Sequence, residues 1–221
     1  MSEFGQLSDL LTNLITAAVL GFMGVRLVTG ARVARSSEGR SLIVRVRRTV
    51  GWRHVWPVPL LLAGVLSTAY LLMSVPLLDW GWWSALGGDG NPVFGTSEAT
   101  SGTVWEWLVP VVFMCLLLPA LPLFAHAEER LFRAGAEGWS TGRRVFKVVQ
   151  FGLVHALIGI PVGAALALSL GGAYFMAVYL RTYRRTLDRG AATIESTAAH
   201  TVYNFLIVVL VLAALVVDAA L

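Results

Sequence analysis

The sequence predicts an all-α polytopic membrane protein, because its composition and its patterning agree. Of the 221 residues, 57% are hydrophobic and 14% are charged. A mean hydropathy of +0.72 exceeds what a soluble domain of this length can bury. Several apolar runs approach or exceed the roughly 20 residues that an α-helix needs to cross a bilayer. We expect one integral membrane domain over 1–221, with about six transmembrane helices surrounding a polar intramembrane cavity.

Apolar segments separated by polar loops set the bounds of the predicted helices. They run over about 10–28, 56–78, 104–127, 144–160, 162–180 and 193–221. The third segment is expected to stay helical past Phe132, with a kink at Pro119 and Pro122, because proline removes a backbone donor. Pro161 is expected to end the short fourth segment.

The basic residues alternate from loop to loop and predict the orientation. Arginines cluster between the first and second segments, around the link between the third and fourth, and after the fifth. Residues 79–103 contain no Lys or Arg. By the positive-inside rule the basic loops are cytoplasmic and both termini face outward. The net charge of +4 therefore reports orientation in a lipid bilayer, and no nucleic-acid partner is expected.

The near absence of lysine, with abundant alanine, valine, glycine and leucine, is typical of a GC-rich bacterial genome. The expected location is therefore a bacterial plasma membrane. Cys115 is the sole cysteine, which excludes an intrachain disulfide and a cysteine-based zinc site.

Polar clusters lie in or beside three of the apolar segments. They are Glu128-Glu129-Arg130-Leu131-Phe132-Arg133, the stretch from Phe151 to His155, and the stretch from His200 to Asn204. A charged or imidazole group within a bilayer is costly, so each cluster indicates a functional site. The predicted topology places all three in the cytoplasmic half of the membrane, where they would converge on one cavity.

Helical spacing selects the faces on which these side chains lie. His200 and Asn204 are four residues apart, as are Phe151 and His155, so each pair shares one side of its helix. Glu129 and Arg133 have the same spacing and are expected to pair along their own helix. The preceding carboxylate, Glu128, is about 100° away and free to point elsewhere.

These groups supply the parts for hydrolysis by an activated water. A carboxylate in a low-dielectric site is a usable general base. An imidazole and an amide that donate to a developing oxyanion give the stabilisation that matters most in acyl transfer. No serine occurs in a nucleophile-elbow motif, which disfavours a covalent route.

The three motifs EExxxR, FxxxH and HxxxN together resemble the CAAX protease and bacteriocin-processing family of intramembrane endopeptidases. They occur complete and in the order typical of that family, and the resemblance covers about residues 104–210, the expected catalytic core. Eukaryotic members of the family trim prenylated CAAX tails. The motif residues here are Glu128, Glu129, Arg133, Phe151, His155, His200 and Asn204.

The resemblance implies a glutamate-type peptidase without a cofactor. Glu128 would activate water with the assistance of His155, and His200 with Asn204 would hold the oxyanion. The implied substrate is a peptide or protein tail near the cytoplasmic side of the membrane; its identity, its lipidation and the oligomeric state of the enzyme stay open. The remaining motif residues, expected to be structural or substrate-orienting, are Glu129, Arg133 and Phe151.

Other functions remain open on the residues alone. A zinc peptidase would use Glu128, His155 and His200 as metal ligands, although no HExxH motif is present. A non-catalytic immunity or scaffold protein would keep the membrane helices without the chemistry. A small transporter would use the same groups as a proton relay, although no inverted repeat is visible.

Three further ionisable residues have separate expectations. His126 lies on a different helical face from Glu128 and is expected to pack at the interface. His54 is expected at the inner membrane boundary. Glu195, one and a half turns before His200, could line the same entrance as that histidine.

Overall fold

A computed structural model describes residues 3–82 and 102–218, and all regular structure within these two ranges is helical. The all-α prediction is therefore confirmed, while most of the predicted outer loop over 79–103 lies outside the described residues. The α-helices span Glu3–Arg35 (α1), Ser37–Thr49 (α2), Trp52–Val55 (α3), Pro57–Met73 (α4), Trp105–Leu117 (α5), Leu121–Phe132 (α6), Thr141–Leu153 (α7), Val162–Ala167 (α8), Ser169–Thr186 (α9) and Arg189–Asp218 (α10). Short 3-10 turns occupy Leu118–Ala120, Ala136–Gly138 and Val154–Ile158.

Five stretches of the described chain are long and apolar enough to cross a membrane. They are Asn13–Arg35, Trp52–Met73, Pro110–Gly138, Val162–Thr186 and Arg189–Val217. The predicted fourth segment, 144–160, is not among them, so the expected count of six is not reproduced. That part of the chain consists of α7 and a 3-10 turn, and α7 is only 13 residues long with basic side chains in its first half.

Proline interrupts the third predicted segment, as expected. The helix α5 ends at Leu117, and a 3-10 turn containing Pro119 separates it from α6. Pro122 follows in the first turn of α6, where a missing backbone N–H costs little. The interruption makes α6 a separate helix of 12 residues, and this helix carries Glu128 and Glu129.

Glycines bring the helices around the motif residues into close contact. A Cβ at Gly152 would lie 2.4 Å from the carbonyl oxygen of Ala165, and a Cβ at Gly172 would lie 2.9 Å from the Phe151 ring. Small residues of this kind let helix backbones approach closely in membrane proteins. These glycines lie where α7 packs against α8 and α9. The last helix, α10, packs against both α6 and α9.

The largest cluster of buried apolar residues lies where these helices meet. It consists of Val58, Leu62, Phe132, Phe151, Phe175, Ala199 and Tyr203. Phe151 belongs to the FxxxH motif, and Ala199 immediately precedes the histidine of the HxxxN motif. Phe151 and the helix segment next to His200 are therefore built into the core of the fold.

Candidate functional site

An ion pair on α6 forms the centre of the site. Arg133 Nη1 donates to Glu129 Oε1 at 2.9 Å, and the side chains of both residues are 0% exposed. The two residues are four apart along the chain, so the pairing predicted from their spacing is confirmed. A buried ion pair is kept only where further contacts compensate for the lost hydration.

Aromatic rings and a backbone carbonyl supply such contacts to Arg133. Its guanidinium carbon lies 4.1 Å from the centroid of the Phe151 ring and 5.4 Å from that of Phe175. Its Nη2 donates to the carbonyl oxygen of Gly172 at 3.4 Å. Cation–π contacts of a desolvated guanidinium contribute about 2 kcal/mol. The FxxxH motif therefore holds the arginine of the EExxxR motif in place.

Glu129 also binds the imidazole of the third motif. His200 Nδ1 lies 2.9 Å from Glu129 Oε1, and the Ser196 hydroxyl donates to Glu129 Oε2. Because a carboxylate only accepts, the Nδ1 of His200 carries the proton of this hydrogen bond. The second ring nitrogen, Nε2, therefore has either a lone pair in the neutral imidazole or a second proton in the imidazolium.

Glu128 lies on the other side of that imidazole. Its Oε2 is 3.7 Å from His200 Nε2, a distance too long for a direct hydrogen bond but within ion-pair range. Oε2 itself is buried and has no hydrogen-bond partner among the described residues. The Glu128 side chain as a whole is 31% exposed, whereas that of Glu129 is fully buried. The two adjacent carboxylates therefore differ in access, and only Glu128 can meet a molecule from outside.

His155 lies on the 3-10 turn that follows α7. Its Nδ1 is 2.8 Å from the carbonyl oxygen of Phe151. A carbonyl only accepts, so Nδ1 donates and the Nε2 of the neutral ring is left with a lone pair. Gly159, at φ +87°, ends this turn in the left-handed conformation that suits glycine.

The Phe151 ring contacts both motif histidines. Its centroid lies 5.2 Å from that of His155 and 5.5 Å from that of His200, each in an edge-on arrangement. His200 also stacks on Phe175, with centroids 4.3 Å apart and ring planes at 21°. The two imidazoles are thus oriented by shared aromatic neighbours from α7 and α9.

Asn204 is the motif residue least connected to the others. It follows His200 by one helical turn on α10 and is partly buried. Among the described residues, Asn204 shares no hydrogen bond with the other six motif side chains. Those six side chains are connected to one another by ion pairs, hydrogen bonds or ring contacts. The predicted polar cavity around the motif residues is not confirmed, and a cavity lies on another face of α6.

Two residues of the site, Ser196 and Phe175, were not predicted from the sequence. Ser196 precedes His200 by four residues on α10, so helical spacing from the HxxxN motif could have found it. Phe175 lies on α9, which carries no motif, and its contact with the imidazole depends on the packing of α9 against α10.

From the sequence, Glu195 could line the same entrance as His200. Instead its carboxylate binds Arg53 and His54 at the start of the second membrane stretch. Arg53 Nε donates to Glu195 Oε1 at 2.7 Å, and Arg53 Nη2 donates to Oε2 at 3.1 Å. The Gly51 N–H donates to His54 Nδ1, so His54 Nε2 carries a proton and donates to Glu195 Oε1 at 3.0 Å. His54 is therefore a buried linker between α3 and α10.

His126 contacts α10 through its Nδ1, which is 3.2 Å from the hydroxyl oxygen of Thr197. The Thr197 hydroxyl itself donates to the carbonyl oxygen of Thr193 at 2.7 Å. With its single proton used there, Thr197 accepts from His126. This contact fits the packing role expected for His126.

A zinc site is not supported by the geometry of the described residues. Within them, no group of three or more His, Cys, Asp or Glu side chains is arranged to hold a metal ion. The zinc peptidase with Glu128, His155 and His200 as ligands stays an alternative that metal removal tests. No family model matches the chain, and neither a curated protein nor a solved structure matches it.

Proposed function

We propose that this chain is an intramembrane peptidase in which Glu128 activates the hydrolytic water. The observation that supports this proposal is the position of one imidazole between two unequal carboxylates. His200 Nδ1 is 2.9 Å from the buried Glu129, and its Nε2 is 3.7 Å from the accessible Glu128. Glu129 orients the imidazole, and Glu128 remains available to accept a proton from water as a general base.

His200 has the role of hydrogen-bond donor in the proposed mechanism. Its imidazole lies between the carboxylates of Glu128 and Glu129, and Glu129 also binds Arg133. In this proposal the His200 Nε2 carries a proton and donates it from a position 3.7 Å from Glu128 Oε2. Such a donor, fixed by Glu129 and stacked on Phe175, can stabilise an oxyanion without reorganising.

The proposed reaction is hydrolysis of a peptide bond. Glu128 accepts a proton from water while the water oxygen bonds to the carbonyl carbon, and the charge that develops on the carbonyl oxygen is held by His200. Asn204 is the second donor to that oxygen. When the carbon–nitrogen bond breaks, the proton on Glu128 passes to the leaving amine. The lone pair on His155 Nε2 can assist these transfers, because its Nδ1 proton is held by the carbonyl of Phe151.

The proposed substrate is a peptide or protein tail that reaches the site from the cytoplasmic side. The partial exposure of Glu128 supports access of a substrate to this carboxylate, since Glu129, Arg133 and His200 are buried. The motif resemblance favours the same class of substrate. The proposed location is a bacterial plasma membrane with both termini outside, in keeping with the positions of the basic loops.

The test compares the termini of membrane proteins in cells that carry the wild type, Glu128→Gln or Asp79→Asn. Asp79 is an exposed carboxylate outside the motifs and serves as the matched control. We expect shortened tails in the wild type and in Asp79→Asn, and their absence in Glu128→Gln at equal protein level. Identical termini in all three strains, with the Glu128→Gln protein folded, would reject the peptidase and leave a non-catalytic role.

A second arm concerns the metal. Purified protein that cleaves an identified tail is treated with a strong chelator and assayed again. Retained activity is the expected result, because Glu128 provides the base and His200 with Asn204 provides the oxyanion donors. Loss of activity that zinc restores would favour the metal-dependent peptidase instead.

A further inference from the structure

The helix α6 has a second polar face, directed away from the Glu129 cluster. Leu123, His126, Ala127 and Arg130 follow one another at helical spacing and line a cavity of about 370 Å³. The other walls of this cavity come from α1, between Arg26 and Val33, and from α2, between Glu38 and Arg45.

The charges around the cavity are predominantly positive. Arg26 comes from α1, Arg45 from α2 and Arg130 from α6, against the single carboxylate of Glu38. Within the described residues none of these three arginines forms an ion pair. All three arginines line this one cavity, each from a different helix. Guanidinium groups that converge from separate helices repel one another unless an anion joins them.

Apolar side chains also line the cavity. Val33, Leu42 and Leu123 line it together with Phe124, whose ring centroid lies 5.3 Å from the guanidinium carbon of Arg26. In the most apolar part of Asn13–Arg35, only 6% of the residues are buried inside the protein. The surface of α1 is therefore open to contact with acyl chains. A cavity with cationic and apolar walls beside an exposed membrane helix matches the junction between a phospholipid headgroup and its chains.

We propose that this cavity binds the phosphodiester headgroup of an anionic phospholipid. Arg45 and Arg130 provide the charged donors, and Arg26, held over Phe124, provides a third. The acyl chains lie along the exposed surface of α1. This proposal does not depend on the peptidase reaction, because the cavity and the Glu129 cluster occupy different faces of α6.

The experiment measures lipid retention by the full-length protein in detergent, using native mass spectrometry. The probes are phosphatidylglycerol, phosphatidylcholine and inorganic phosphate, and the variants are Arg45→Gln and Arg130→Gln. Arg47→Gln is the matched control, because Arg47 lies about 200° around α2 from Arg45. We expect preferential retention of phosphatidylglycerol by the wild type and by Arg47→Gln. Each cavity variant should lose about tenfold in affinity, since a charge-assisted contact disappears.

Three outcomes would overturn the proposal. Unchanged retention in both cavity variants would exclude the arginines of the cavity. An equal loss in Arg47→Gln would indicate general attraction to a basic surface. Inorganic phosphate that binds as tightly as phosphatidylglycerol would identify a free anion as the ligand in place of a lipid. Thermal unfolding of each variant separates these results from misfolding, and a destabilised variant is replaced by the Lys substitution, which keeps the charge and loses the fork of donors.

Discussion

The carboxylate of Glu129 and the imidazole of His200 are joined by a hydrogen bond of 2.9 Å, although 70 residues separate them in the sequence. The same carboxylate oxygen accepts from Arg133. Glu129 therefore links the first and third motifs, and through Arg133 it also links the second, because the guanidinium packs on Phe151. The structure makes this glutamate the organiser of the cluster, while its neighbour Glu128 is left accessible.

The first prediction contrasts these two neighbouring glutamates. Glu129→Gln removes the partner of a buried arginine and should destabilise the protein by about 3–5 kcal/mol. Glu128→Gln removes a carboxylate whose buried oxygen has no described hydrogen-bond partner, so its stability should change by less than about 1 kcal/mol. Denaturant unfolding in detergent measures both values. Equal destabilisation by the two substitutions would contradict the division of roles.

The second prediction concerns the ring that separates the two histidines. Phe151→Leu removes the surface that packs on Arg133 and on both imidazoles, and it should cost about 2–4 kcal/mol. Phe146→Leu is the control on the same helix, since Phe146 is exposed, and it should change stability by less than about 0.5 kcal/mol. Thermal unfolding of the purified variants provides the comparison. A Phe151 variant as stable as the Phe146 variant would show that the cation–π packing is unimportant.

The third prediction tests the close approach of α7 to the following helices. A methyl group at Gly152 would meet the carbonyl oxygen of Ala165 at 2.4 Å, so Gly152→Ala should destabilise the protein by about 1–3 kcal/mol. Gly142, near the start of the same helix, has open space around its Cβ position. Gly142→Ala should therefore stabilise by about 0.5–1 kcal/mol through its helix propensity. Opposite signs for the two alanine variants in an unfolding experiment are the expected result.

The fourth prediction separates the two partners of Glu195. Arg53 is 63% exposed, so Arg53→Gln should cost at most about 1 kcal/mol. Glu195→Ala also orphans the buried Nε2–H of His54 and should cost about 1–3 kcal/mol. Unfolding of both single variants and of the double variant gives the coupling energy. If the two single variants were equally mild, His54 would not depend on Glu195.

Local patterning was sufficient for part of the architecture. The apolar runs predicted helices long enough to cross a membrane, and the i, i+4 spacing predicted the ion pair between Glu129 and Arg133. Pro119 and Pro122 predicted the interruption between α5 and α6. These features depend on backbone geometry and on near neighbours in the chain, which a sequence states directly.

The sequence overestimated the fourth membrane segment. Its apolar run contains His155 and is followed by Pro161, but the helix gives way to a 3-10 turn after Leu153. Hydropathy alone does not register that change, because the same residues can continue a helix or tighten into a turn. Packing of Gly152 against Ala165 and the left-handed Gly159 decide the outcome.

By itself the sequence determined that the chain forms long apolar helices, which residues are candidates for the site, and that Glu129 pairs with Arg133 on one helix. Only the tertiary structure decided that Glu129 binds His200, that Phe175 stacks on that imidazole, and that Glu195 turns to His54. The physical reason is that hydrogen bonds and ring contacts between helices depend on how each helix is rotated about its axis and on its height relative to its neighbours. Those quantities are set by the close packing of side chains at every interface, and no single segment encodes them.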